Sequence, residues 1–120
     1  MNHYIDGFVL TVPQDKLAAY KKIARKASKL WRENGALEYR ECVADDMDAT
    51  GMLPFPKLTK AKPDEVVIFA YVVFESRKHR DATNKKIMDD PRVQGMCAET
   101  AGIFDCKKMA FGGFKSVVHA

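Results

Sequence analysis

The sequence holds no apolar run long enough to cross a bilayer. Its longest, Val66–Phe74, is nine residues, where a spanning helix needs about 20, so no membrane partner is expected. The first residues, Met1-Asn2-His3-Tyr4-Ile5-Asp6, show neither the basic n-region nor the apolar h-region of a secretion signal. Cysteine is scarce. Cys42, Cys97 and Cys106 are odd in number and widely spaced, with no Cys-x-x-Cys pair, which argues against a disulfide framework or a zinc site. A reducing, cytoplasmic setting with three free thiols is the simplest expectation, and Cys42 and Cys106 read as small core or strand residues. His3, His79 and His119 are too scattered to form a metal site, and neither a metal nor a cofactor is expected. Charge of one sign is also lacking. The 20 basic residues stand against 16 acidic ones, a net +4 spread along the chain, which is a statement about solubility and not a footprint of nucleic acid.

What is present is a globular composition. Hydrophobic residues at 47% and charged residues at 30% are enough for one packed domain over residues 1–120 and carry no sign of disorder. Tyr4–Val12 alternates as a first strand, with Tyr4, Asp6, Phe8, Leu10 and Val12 on one face. From Gln14 to Asn34 the period lengthens. Leu17, Tyr20, Ile23, Ala24, Ala27, Leu30 and Trp31 form one helical stripe, closed by Asn34-Gly35. Ala36–Asp45 is a second, more polar strand of the kind found at sheet edges. Residues 46–64 hold three prolines and scattered apolar residues, and read as a folded flap inserted in the domain. Val66–Phe74 is a central strand, apolar on both faces. Ser76 caps a helix to about Met88, with His79, Ala82, Thr83, Ile87 and Met88 inward. Asp90-Pro91 opens a short further helical turn that ends at Gly102. Lys107–Val118 is the last strand, with Gly112-Gly113 marking a bulge or a close backbone approach.

The order β-α-β-β-α-β is the split βαβ of the ferredoxin-like plait, an α+β fold whose antiparallel sheet runs 4-1-3-2 with its helices on one face. That topology leaves one face of the central strand bare, although its residues are apolar on both sides. Leaving several large side chains wet would cost roughly 1.5–3 kcal/mol each. The expected cover is a second copy of the chain, two sheets closing into a dimeric α/β barrel.

Local spellings agree with this. Tyr4-Ile5-Asp6-Gly7-Phe8-Val9, Glu41-Cys42, Arg80-Asp81-Ala82 with Asn84, Lys86 and Met88, Asp90-Pro91-Arg92, Phe104-Asp105, Lys107-Lys108-Met109 and Gly112-Gly113-Phe114 follow in order. Together they resemble the YbaA-like family of small bacterial proteins, a domain of unknown function. The resemblance implies the dimeric α/β barrel fold and implies no reaction. Departures lie in the 46–64 flap and at Cys106.

For chemistry the candidates are Asp6 and Glu41. A carboxylate on an apolar sheet face has its pKa raised by desolvation and can serve as a general base near neutral pH. The catalytic expectation is Asp6 as base, assisted by Glu41 or Tyr71. The structural alternative pairs Asp6 with Arg40, Arg80 or a lysine. Tyr39, His79, Arg80 and Asn84 are the candidate ligand-binding residues, with the cavity expected at or near the sheet–sheet interface. Phe69-Ala70-Tyr71-Val72-Val73-Phe74 also echoes the aromatic strand of RNA-recognition modules, which share this element order. The basic residue and glycine that should precede it are replaced by Val67 and Ile68, so no nucleic-acid partner is expected. The functional expectation is a small-molecule-binding homodimer, its enzymatic form working without a cofactor through a carboxylate base on an apolar or aromatic substrate. The alternative is a non-catalytic ligand-sensing or protein-interaction dimer.

Overall fold

A computed structural model describes residues 3–120, the side chain of Cys97 excepted. Strand β1 (Tyr4–Pro13) leads through a short 3-10 turn (Gln14–Lys16) into α1 (Leu17–Glu33). Then follow β2 (Glu38–Val43), a one-turn helix α2 (Phe55–Thr59), β3 (Glu65–Phe74), α3 (Arg77–Met88) and α4 (Pro91–Thr100). A second 3-10 turn (Cys106–Lys108) precedes β4 (Ala110–Lys115). The sheet is antiparallel in the order β2-β3-β1-β4, the order expected from the sequence.

Each element follows from local chemistry. Helix α1 buries Tyr20, Ile23, Ala27 and Leu30, one stripe at three- and four-residue steps. Its end is set by Gly35, whose φ of 117° is a conformation that side chains other than hydrogen resist. Ser76 caps α3 by accepting the His79 N–H at 3.1 Å, and Asp90 caps α4 by accepting the Arg92 N–H at 2.9 Å, with Pro91 in the first turn.

Four readings of the sequence need correction. The inward stripe of α3 is Arg80, Thr83, Asn84 and Ile87, not one that includes Ala82 and Met88, which are exposed; Arg80 is drawn inward by Asp6. The turn after Asp90-Pro91 is a helix of ten residues. The last strand starts only at Ala110, because Asp105 accepts the Lys107 N–H and folds the preceding residues into a 3-10 turn. Cys42 is a strand residue of β2 and Cys106 belongs to that turn, and both are exposed, so neither is core.

Pairing between β1 and β4 is regular through the glycine pair, so Gly112-Gly113 makes a close approach and no bulge. A Cβ on Gly113 would lie 2.4 Å from the Tyr4 hydroxyl. The flap is folded in part. Helix α2 rests against β1 and β3 and ends on Lys60, which takes a left-handed conformation with φ of 55°.

Alternation along the strands sorts the two faces. Leu10, Val12, Ile68, Val72 and Phe74 are buried under α1 and its neighbours. On the other face lie Ile5, Val9, Phe69, Tyr71, Val73 and Phe114 by strand parity, with Phe69 46% and Phe114 60% exposed. Among the described residues, no helix is long and apolar enough to cross a membrane.

Candidate functional site

Three small residues open a space beneath the helices. In one cross-sheet row Glu41 pairs with Ala70, Ala70 with Phe8, and Phe8 with Phe111. Ala70 is the one short side chain on the helix-facing side of β3, and α1 sets Ala24 and Ala27 over it. The result is a cavity of about 260 Å³ between sheet, α1 and α4. Its walls include Phe8, Leu10, Ile23, Trp31, Met96 and Phe104, and its only charged lining residue among those described is Glu41.

Glu41 is the polar centre. Tyr20 in α1 donates its hydroxyl to Glu41 Oε1 at 2.5 Å, and Tyr39, two residues earlier on the same face of β2, donates to Oε2 at 2.7 Å. Strand parity brings Tyr39 and Glu41 to one face, while the α1 stripe brings Tyr20 over them. Burial, with the adjacent Glu41 charge and its hydrogen bonds, pushes both phenols well above their usual range, so both stay protonated and donate. Each carboxylate oxygen thereby uses one acceptor position and keeps another. On its outer side Glu41 borders a shallow groove edged by Lys21 and Arg25.

Asp6 faces the same side of the sheet, two strands away, in the row Tyr39, Val72, Asp6, Gly113. It does not line the cavity. It is 2% exposed and accepts from Arg80 Nη1 at 3.1 Å, with Asn84 as a further hydrogen-bond partner. The Arg80 guanidinium sits over the Tyr4 ring, 4.9 Å from its centre, and its Nε is 2.9 Å from an Asp81 carboxylate oxygen. Burial raises the Asp6 pKa above 3.8; Arg80 and Asn84 pull it back, and Asp81 adds to the rise.

The remaining candidates separate. Tyr71 is on the opposite face, its hydroxyl donated to Glu38 at 2.7 Å, a bond that raises its pKa. Asp6, Glu41 and Tyr71 are therefore not brought together in the chain. His79 accepts the Glu75 N–H through Nδ1 at 3.0 Å and packs edge-on against Phe74, a helix-start role away from the cavity. Arg80 and Asn84 serve Asp6. Of the expected ligand-binding residues, Tyr39 alone lines the cavity, which lies under the helices and not at the open sheet face. The sequence pattern marks Tyr20 and Trp31 only as core stripe residues; their shared face with Ala24 and Ala27, large beside small, is the signal it offers. Among the described residues, no group of His, Cys, Asp or Glu could hold a metal ion.

The sequence profile of the family described as "Protein of unknown function (DUF1428)" matches residues 3–106. The chain belongs to this family. It is 41% identical over 115 residues to the uncharacterized protein YbaA of Escherichia coli K12, covering 96% of this chain and 97% of that protein. The same figures hold for YbaA of Shigella flexneri. Among solved structures, a NIPSNAP family protein of unknown function from Agrobacterium tumefaciens superposes with a TM-score of 0.61. At 12% identity, covering 98% of this chain and 91% of that one, it supports the ferredoxin-like fold alone.

The Asp6–Arg80 pair generates a sharp expectation. Arg80→Met leaves a buried carboxylate uncompensated and should cost about 3–5 kcal/mol at pH 7, whereas Asp6→Asn should cost less. Asp6 has a raised folded-state pKa, so its favourable contribution is full below pH 3.8 and lost as pH rises through the folded value. Removing Arg80 raises that value further. Urea unfolding of Arg80→Met should therefore show stability recovering as pH falls from 7 towards 5, more steeply than in the wild type. A flat difference between the two proteins over that range would contradict it.

Proposed function

We propose that the protein binds a small, largely apolar or aromatic molecule in the cavity between sheet, α1 and α4, with Glu41 as the acceptor for its polar group. One observation carries this reading: an apolar cavity of about 260 Å³ has a single carboxylate in its wall, held by two tyrosine hydroxyls. Binding sites of this kind are apolar with a few converging polar groups. An acceptor held in place by two hydroxyls orients a ligand without a change of shape. In turnover, Glu41 is the carboxylate placed to accept a proton from the bound molecule, and no cofactor is invoked.

The open sheet face supports a second element of the proposal. Phe69 and Phe114 are exposed there, the Phe114 ring lying within 3.3–3.7 Å of where a Cβ on Gly7 or Gly112 would sit. Exposed apolar side chains gathered on one sheet face mark an interaction surface, and a second copy of the chain presents the same face to it. The working form under this proposal is a homodimer, and the proposed setting is cytoplasmic, where the exposed thiols of Cys42 and Cys106 stay reduced.

Trp31 is the only tryptophan in the chain and lines the cavity, so its emission reports on occupancy. Benzyl alcohol is expected to change that emission saturably. At about ten times Kd it should also raise Tm by about 5 °C. Ala24→Leu, which fills the cavity while keeping helix propensity, should fold normally and lose both effects. Equal responses in the two proteins would sink the cavity assignment. For the dimer, sedimentation equilibrium at micromolar concentration should give twice the chain mass and Phe69→Lys a monomer. A monomeric wild type would overturn the assignment of the open face.

A further inference from the structure

The two carboxylates on the helix-facing side of the sheet are treated differently by the fold. Asp6, which the cavity does not reach, is given an arginine at 3.1 Å and an asparagine. Glu41, which lines the cavity, is given only two neutral hydroxyls. Among the described residues, no lysine, arginine or histidine lines the cavity, and none of the ion pairs includes Glu41. Lys21 and Arg25 edge the groove on the outer side of Glu41, where both are exposed and water screens them.

A carboxylate that faces an apolar space without a countercharge there favours a cation over a neutral group or an anion. The rest of the wall suits a cation as well. Phe8, Tyr20, Trp31, Tyr39 and Phe104 surround the space. Trp31 and Tyr39 lie with ring centres 6.2 Å apart, and Tyr20 and Phe104 stand edge to face at 5.7 Å. Aromatic faces carry negative potential and attract ammonium groups within about 6 Å. Both tyrosine hydroxyls are already committed as donors to Glu41, so neither offers a proton to an anion.

We propose that the occupant of this cavity is an organic monocation: an amine with an aryl or short alkyl body, its ammonium on Glu41 and its body among the aromatic rings. This rests on the cavity being the binding site, and it adds the sign of the ligand's charge. An anion of the same size, such as an aryl carboxylate, is repelled by the unpaired carboxylate, and a neutral alcohol gains only a hydrogen bond.

The test compares benzylamine, benzyl alcohol and benzoate at pH 7 on the full chain, read by Trp31 emission and by calorimetry. Benzylamine is expected to bind about tenfold or more tighter than benzyl alcohol, with benzoate weakest, and the amine preference should weaken as salt rises. In Glu41→Gln the amine-to-alcohol ratio should fall to about one while alcohol binding persists, which separates loss of charge from loss of the cavity. Alcohol or benzoate binding as tightly as the amine overturns the charge assignment and leaves the cavity reading standing, as does an amine preference unchanged in Glu41→Gln. Binding of none of the three overturns both.

Discussion

Covering the helix-facing side of Val66–Phe74 is the constraint about which the fold is arranged. The strand is hydrogen-bonded on both edges, to β1 and β2, and its alternate side chains are apolar in both directions. On one side α1, α3 and α4 supply cover, and Ile68, Val72 and Phe74 are wholly or almost wholly buried. Ala70 breaks that series. A short side chain at the middle of the strand, faced by Ala24 and Ala27 of α1, cannot fill the space the neighbouring large residues hold open. The cavity is thus a consequence of residue size at three positions, and its apolar character is inherited from the core it interrupts.

Electrostatics then divides the two ends of the same sheet face. At Asp6 the chain spends an arginine and an asparagine from α3 on one carboxylate, an arrangement that ties β1 to the helix layer and holds Arg80 over Tyr4. Its nearest neighbour across the strand pair is Gly113, where a side chain would collide with Tyr4, so this corner is packed to completion. At Glu41 the partners are neutral hydroxyls and part of the carboxylate remains available. A carboxylate paired with an arginine ties elements together; one at a cavity wall with only neutral partners can recognise or react.

Much of the architecture was legible in the sequence, and the reasons are physical. Long amphipathic periods, caps such as Ser76 and Asp90, and the two-sided apolarity of β3 are local signals with few alternative meanings. The register of the strands and the location of the cavity are not local. That Asp6 meets Arg80 depends on α3 rotating by about one position from the stripe that hydrophobicity alone suggests, because an inward arginine with a partner outweighs an inward methionine. That Tyr71 belongs to the open face, and Glu41 to the closed one, follows from pairing between strands far apart in the chain. Tyr20 looked like any core residue of α1. Only the sheet beneath it turns its hydroxyl into one of two donors to Glu41. That long-range geometry puts Glu41, and not Asp6, at the cavity.

Occupancy of the cavity beside Glu41 is most directly tested by carbon-13 methyl NMR of methionine-labelled protein during titration with benzyl alcohol. Met96 and Met109 line the cavity, while Met52 and Met88 are exposed away from it. Met96 and Met109 signals should move together and saturate with one dissociation constant while those of Met52 and Met88 stay in place. Movement confined to Met52 and Met88, or an unsaturable drift shared by all four, would contradict a binding site between the sheet, α1 and α4.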